Sequence, residues 1–352
     1  MSEQVRTALA AVVDGRSLSV DEAHAAMASV MDGEATPALL AALLVALRMR
    51  GETVEELAGF ATAMRERVLR VDAPDGAIDV VGTGGDASGT FNISTTAALV
   101  AAAAGIPVAK HGNRAITSRS GSADVLDALG VRVDHDASSA AAALRDIGFA
   151  FMFAPGFHPA MKHAGPTRRE IGVRTAFNLI GPLTNPAGTT RQLLGVADPV
   201  AAERIAQVAA LLGTERTFVI HGNAVDELPL DGSGVLYDVG PLGIGRRSVD
   251  AASLGLGKAS TAKLAGGSAD ENAAITESVL RGEPGVRRDV VLLNAGAALL
   301  VAGAVESLED GIERAALTID AGLATELLER LRAERRAAEA ASTEAATEGA
   351  PA

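Results

Sequence analysis

The first seventy residues alternate apolar stretches at helical spacing with polar punctuation. Ser19-Val20-Asp21-Glu22 and Thr53-Val54-Glu55-Glu56 read as capping boxes, and Thr36-Pro37 as an N-cap followed by proline at the first helical position. Gly15, Gly33 and Gly51 stand where these helices should stop. From Ala38 to Leu47 the chain is apolar on nearly every side of a helix. A helix without a polar face is buried on both sides, so this run predicts packing against a second subunit as well as against its own neighbours.

From Ala77 the period changes. Short β-rich runs, plainest at Ile78–Val81, Pro107–Ala109, Phe149–Phe153, Leu193–Val196 and Thr217–Ile220, are each followed by a glycine-containing loop and an alanine-rich stretch. Helices are expected at Thr96–Ala104, Ala123–Leu129, Ser138–Ile147 and Val200–Leu212. This alternation predicts an α/β protein in which a small N-terminal helical domain, residues 1–72, precedes a larger α/β domain, residues 73–336, with a mainly parallel central sheet. Ligands in such sheets sit at the carboxyl ends of the strands, so the loops after strands are the ones to examine. After a last helix at Glu326–Arg336 the chain runs into Ala337–Ala352, which contains only Ala, Glu, Ser, Thr, Gly and Pro. So few large apolar groups predict a disordered, dispensable tail.

Composition narrows the partners. Among 352 residues, 31 Lys+Arg against 44 Asp+Glu leave a formal charge of −13, which argues against a nucleic-acid binder, since phosphate counterion release needs a basic face. A local basic pocket remains compatible with that balance. Cysteine is absent, which excludes disulfides, thiolate nucleophiles and cysteine-ligated metals. With aromatics at 3%, a stacking platform for sugars or bases is not expected. No clean apolar run reaches the roughly 18 residues of a membrane span, and no signal-like segment opens the chain, so a cytoplasmic location is expected.

The first post-strand loop reads Gly82-Thr83-Gly84-Gly85-Asp86, and Thr90-Phe91-Asn92-Ile93-Ser94-Thr95 follows to open a helix. Glycines let the backbone approach an anion, and a helix N-terminus offers free N–H groups with partial positive charge. A tight turn with an N-cap would use the same residues. No Gly-Lys-Ser/Thr closes the loop, so it is not a nucleotide P-loop, and the next strand ends at Lys110 where a dinucleotide site wants an acid. A second loop, Lys110-His111-Gly112-Asn113-Arg114, recurs at the same edge and leads through Ser118 to Ser122. Lysine supplies a point charge for phosphate, and asparagine both donates and accepts. The third loop carries Asp226-Glu227, which alone is an ordinary surface pair. Beside two phosphate loops it suits magnesium, which uses one or two protein carboxylates and shares the substrate's phosphates. Between them, Phe157 to Asn185 interleaves basic groups with Pro and Gly, fitting a hinge that carries an anion-binding arginine.

Taken in order, Gly82-Thr83-Gly84-Gly85-Asp86, Asn92-Ile93-Ser94-Thr95, Lys110-His111-Gly112-Asn113-Arg114, Ser120-Gly121-Ser122-Ala123-Asp124, the Arg174 to Pro186 run and Asp226-Glu227-Leu228 closely resemble the anthranilate phosphoribosyltransferase family of tryptophan biosynthesis. The resemblance runs from the N-terminal helices to the last one, with Ala87 as a departure where the family's loop has another glycine. It implies the fold of the nucleoside phosphorylase and phosphoribosyltransferase type, with a helical domain formed by the N-terminal helices plus an inserted segment near residues 161–188, a homodimer, and two magnesium ions per monomer. It assigns phosphoribosyl pyrophosphate to Gly82, Gly85, Asp86, Thr90, Asn92, Ile93, Ser94, Thr95, Lys110, His111, Gly112, Asn113, Arg114, Ser118 and Ser122. It assigns anthranilate to Gly82, Asn113, Arg168, Pro155, His158 and Gly181, metal to Ser94, Asp226 and Glu227, and the chemistry to Lys110, with His111 either assisting or only shaping its loop. Two relatives of the fold are weaker readings: a pyrimidine nucleoside phosphorylase, which lacks the Lys-His-Gly-Asn-Arg run, and a non-catalytic nucleic-acid binder.

Overall fold

A computed structural model describes residues 2–86, 88–115 and 119–348. Helices α1 (Glu3–Val13), α2 (Val20–Met31), α3 (Pro37–Arg50) and α4 (Val54–Arg65) come first. Both expected capping boxes are present, the Ser19 side chain accepting from the Glu22 amide and that of Thr53 from the Glu56 amide. Gly15, Gly33 and Gly51 all carry positive φ, which lets each chain reversal form without a Cβ penalty. Leu40, Leu43, Leu44 and Leu47 bury one face of α3, while Ala38, Ala42, Val45 and Met49 leave the opposite face apolar and exposed.

The rest of the chain builds a seven-stranded sheet of order β3-β2-β1-β4-β5-β6-β7. Strands β1 (Ile78–Gly82), β2 (Val108–Gly112), β3 (Phe149–Phe153), β4 (Arg191–Gly195) and β5 (Arg216–His221) are parallel, whereas β6 (Gly234–Gly240) and β7 (Gly243–Val249) return antiparallel. The crossovers are α5 (Ile93–Ala103), α6 (Ser122–Ala128), α7 (Ala137–Asp146) and α11 (Pro199–Leu211). Three short helices, α8 (Ala154–Phe157), α9 (Gly165–Ile171) and α10 (Ala176–Ile180), fill the segment before β4, and α12 (Ala269–Leu280), α13 (Val286–Val301), α14 (Leu308–Asp320) and α15 (Leu323–Glu348) follow the sheet. The hairpin β6–β7 has no counterpart in the sequence reading: all of β7 except Val249 is exposed, so it carries little of the hydrophobic alternation by which a strand is recognised.

Successive strand residues divide between two cores, as the period of two requires. Ile78, Val80, Leu193 and Phe218 pack with α5 and α13 on one face. Val81, Leu194 and Val219 pack with α11 and the N-terminal helices on the other. The order in which strands are added reverses between β1 and β4, which pair in parallel from Ile78 with Arg191 to Gly82 with Gly195. A ligand site is expected at the carboxyl ends of that pair.

The expected disordered tail is corrected from residue 337 onward. Helix α15 continues to Glu348, because Ala and Glu are strong helix formers and Arg335 pairs with Glu339 across one turn at 2.8 Å. Residues 349–352 lie outside the described residues. The contacts that dock α15 come earlier, from Arg332 to the Leu129 carbonyl at 2.7 Å and from Arg335 to Asp127 at 2.8 Å. Removing everything after Arg336 should therefore shift the melting temperature by no more than about 2 °C, since exposed ion pairs contribute only about 0.5 kcal/mol. A larger drop in a thermal melt would show that the last turns do more than extend the helix.

Candidate active site

At the switch point, Gly82 and Gly195 face each other across β1 and β4, and Asp226 is seated over both. A Cβ on Gly82 would lie 2.4 Å from Asp226 Oδ2, and one on Gly195 would lie 1.7 Å from the Asp226 carbonyl oxygen. These two positions admit no side chain while the carboxylate loop occupies its place. The Gly84 amide donates to Asp226 Oδ2 at 2.9 Å, and the Ser94 amide at the start of α5 donates to Glu227 Oε1 at 2.9 Å. The glycine loop, the helix N-terminus and the acidic pair thus form one cluster, as their common strand edge implied. Gly195 and the backbone of 226 were missed by the sequence reading; a glycine closing a strand, opposite another glycine, was the available signal.

The acids of this cluster crowd one another. Burial and the neighbouring Asp86 carboxylate push Asp226 up to about 7, and burial with Asp226 raises Glu227 well above the usual range. Lys110 lies beneath them, 2% exposed, its ammonium donating to the Val80 carbonyl and compensating Asp79, Glu227 and Asp226. The lysine expected at the strand end to meet phosphate is therefore an interior countercharge here, because the β2 residue that follows Ala109 points into the acid cluster. Among the described residues no three His, Asp or Glu side chains converge as a metal cage. Two crowded carboxylates with hard oxygen donors nevertheless fit magnesium, which completes its shell from water and substrate phosphate.

The second loop is tied down by residues without an assigned role. Asp79 accepts from the His111 amide at 3.3 Å and from Asn185 Nδ2 at 2.7 Å, and burial raises it to about 6. Gly112 leaves no room for a side chain, since its Cβ would meet Ser122 Oγ at 2.4 Å, and that hydroxyl donates to the Asn113 carbonyl at 3.3 Å. Asn113 is exposed, its Oδ1 accepting from the Arg114 amide at 2.8 Å. Arg114, expected to meet phosphate, is instead paired with Asp124 at 2.9 Å and Asp127 at 3.3 Å: helix α6 carries both acids on the side facing the loop. Ser118, like Ala87, lies outside the described residues. Asn92 donates to the Ser120 carbonyl at 3.2 Å and accepts from Asn272 at 2.9 Å, which joins both loops to α12. Thr90 and Ser88 share a hydrogen bond at 3.2 Å, Asp86 accepts from the Ser88 amide, and Ile93 and Thr95 are buried in the first turn of α5.

A third group faces the loops from the segment before β4. Arg174 donates to the Gly85 carbonyl at 2.8 Å, a link the sequence reading missed. Arg168, half-buried on α9, stacks 4.8 Å from the Phe177 ring centroid and forms no ion pair among the described residues. A withdrawn guanidinium over an aromatic ring with no acid beside it is a ready carboxylate site. The ring centroids of His158 and His111 lie 5.0 Å apart, and the Nε2 of each is buried without a partner among the described residues. Burial drives His111 down to about 3 and His158 down to about 4, so both rings are neutral near pH 7. Pro155 is exposed on α8 and Gly181 is partly buried beyond α10.

The comparisons with known proteins decide the family. Residues 74–325 match the family described as glycosyl transferase family, a/b domain, and residues 6–68 match its helical bundle domain. The chain is 51% identical over 334 residues to the anthranilate phosphoribosyltransferase of Thermomicrobium roseum, covering 93% of this chain and 96% of that one. The chain belongs to the anthranilate phosphoribosyltransferase family. Among solved structures, the family member from Thermus thermophilus superposes with a TM-score of 0.88 at 44% identity, covering 94% of this chain and 99% of that one. The Saccharomyces cerevisiae member, solved in complex with PRPP and Mg, superposes with a TM-score of 0.86 at 28% identity, covering 96% and 99%.

The neutral histidines give this family member a pH signature. Unfolded, His158 would protonate near 6.5; folded, it does so only near 4. The native state therefore binds fewer protons than the unfolded chain between these values, so this residue's contribution is complete above about pH 6.5 and is lost as pH falls toward 4. His158→Gln should flatten the decline in denaturant midpoint over that window relative to the parent. Parallel declines in both proteins would contradict the buried, neutral ring.

Proposed function

We infer that the chain is an anthranilate phosphoribosyltransferase: it transfers the phosphoribosyl group of phosphoribosyl pyrophosphate to the amine of anthranilate, giving N-(5-phosphoribosyl)anthranilate and pyrophosphate. This is the second step of tryptophan synthesis from chorismate. The observation that carries it is the glycine-seated acid pair at the switch point, with Arg168 forming no ion pair among the described residues, in a chain half identical to family members over nearly its whole length.

In the reaction the amine nitrogen attacks the anomeric carbon as the bond to the pyrophosphate oxygen breaks, and the amine then loses a proton. The glycine loop from Gly82 to Asp86 with Thr90, Asn92, Ser94 and Thr95, and the second loop with Gly112, Asn113 and Ser122, hold phosphoribosyl pyrophosphate. Ser94, Asp226 and Glu227 would hold two magnesium ions, which would supply charge neutralisation on the leaving group. Lys110 sets the field of the acid pair from below. Arg168 takes the anthranilate carboxylate, with Asn113 and the Gly82 backbone, while Pro155, His158 and Gly181 shape the pocket. An aromatic amine is already neutral near pH 7, so positioning rather than a strong base supplies the rate. His111 and His158, held neutral, can accept a hydrogen bond from the amine but are too weakly basic to capture its proton early.

The other readings are not favoured: the matching relatives are transferases, and the charge of −13 opposes a nucleic-acid groove. No helix among the described residues is long and apolar enough to cross a membrane, which accords with a cytoplasmic enzyme. The exposed stripe Ala38, Ala42, Val45 and Met49 supports a homodimer through α3. Met49→Glu should then halve the mass seen by light scattering, and an unchanged mass would move the interface elsewhere. The activity is tested by loss of anthranilate fluorescence with protein, phosphoribosyl pyrophosphate and magnesium, each omitted in turn. Loss that persists without any one of them, or no loss from folded protein, would refute the transferase.

A further inference from the structure

Away from the acid cluster, at the amino-terminal ends of β4 and β5, lies a cavity of about 140 Å³. Its polar lining includes Arg65, Arg70, Thr189, Thr190, Thr214 and Thr217. Arg65 is the last residue of α4, and its Nε donates to the Leu183 carbonyl at 2.6 Å. Arg70, on the connection from α4 to β1, donates to the Arg65 carbonyl at 3.1 Å. Neither guanidinium forms an ion pair among the described residues. The other arginines at this edge do: Arg191 is held by Glu215 and Arg216 by Asp238. Burial and the charge of Arg70 both disfavour the cationic form of Arg65. The carbonyl end of α11 at Leu212 borders the cavity, but a helix terminus carries only about half a negative charge and leaves most of two positive charges unmatched.

We propose that this cavity binds a small tetrahedral dianion of the phosphate class, gripped by Arg65 and Arg70 and by the Thr189 hydroxyl just before β4. Planar guanidinium forks match such oxyanions, and the Thr189 hydroxyl has no partner among the described residues, whereas Thr190 donates to Glu215 at 3.1 Å and Thr214 and Thr217 share a hydrogen bond at 2.6 Å. The volume is close to that of a cavity of roughly 150 Å³ known to hold one benzene. A phosphate ion with a water or two therefore fits, and phosphoribosyl pyrophosphate does not. Both arginines belong to the helical layer or its connection to the sheet, and Thr189 lies at the entry to β4. An anion here would fasten the two across the same junction that the Val71 amide secures on the Pro186 carbonyl at 3.1 Å.

Hydrogen exchange on the full chain, in inorganic phosphate against chloride of equal ionic strength, separates this site from the glycine loop. Phosphate should slow exchange in residues 66–73 and 186–192 of the parent. Arg70→Ala, a change at an exposed side chain, should abolish that protection and weaken phosphate binding there about tenfold or more, leaving the response of residues 88–95 intact. Arg65→Lys, which keeps the charge and loses the fork, should fall between. Replacing phosphate with acetate should give no protection of 66–73, and pyrophosphate should protect 88–95 in preference to 66–73. Parent protection confined to residues 88–95, equal protection by acetate, or an Arg70→Ala protein that responds like the parent would each overturn the proposal.

Discussion

Arg168→Ala should raise the Michaelis constant for anthranilate by about tenfold to a hundredfold while leaving that for phosphoribosyl pyrophosphate within about twofold. The range follows from losing a charge-assisted contact, about 1.5–3 kcal/mol. The guanidinium is half-buried against Phe177 and forms no ion pair among the described residues, so its unmet need is an anion from outside the chain. Arg168→Lys should recover only part of the loss, because an ammonium keeps the charge but neither stacks flat nor donates as a fork. Steady-state kinetics with each substrate varied in turn provides the check. A defect in phosphoribosyl pyrophosphate instead would place Arg168 on the other ligand.

The paired change Asp226→Asn with Glu227→Gln should act in opposite directions on metal response and on stability without metal. Magnesium should activate the parent at concentrations at least tenfold below those the variant needs, as the carboxylates that fit the ion are gone. In chelator, the variant should melt at or above the parent's temperature. The parent holds two acids raised by burial and by neighbouring carboxylates; replacing them with neutral isosteres removes that penalty while Asp79 still balances Lys110. The sign follows from linkage: the folded protein takes up protons at Asp226 until about pH 7, so ionising it costs stability as pH rises from about 4 to 7. A variant with unchanged magnesium titration would remove both residues from the metal site.

Much of the site is legible in the sequence because its parts are local. A glycine loop after a strand, an N-terminal turn of a helix and an acidic pair each span a few residues, and sheet topology guarantees that they share an edge. What escaped depends on distant partners. Asp79 looks like a polar interruption of a strand, yet it fixes His111 and Asn185 from neighbouring elements. Arg114 reads as a free cation until α6 supplies two acids. Lys110 reads as a strand-end cation until the inward turn of its side chain is known. The tail misled for a different reason: Ala and Glu form helices on local propensity alone, without a large apolar face to announce them.

The β1–β4 pairing also governs how the molecule comes into being. Ile78 finds its partner in Arg191, so the central strands of the sheet join across more than a hundred intervening residues. On the ribosome β1 therefore emerges long before the strand that completes it, and its apolar edge waits while α5 through α10 are made. Pairings of such sequence separation slow folding, because loop closure must precede the contacts that reward it. The seat for Asp226 cannot exist until β4 arrives, which makes binding competence a late event in the life of each new chain.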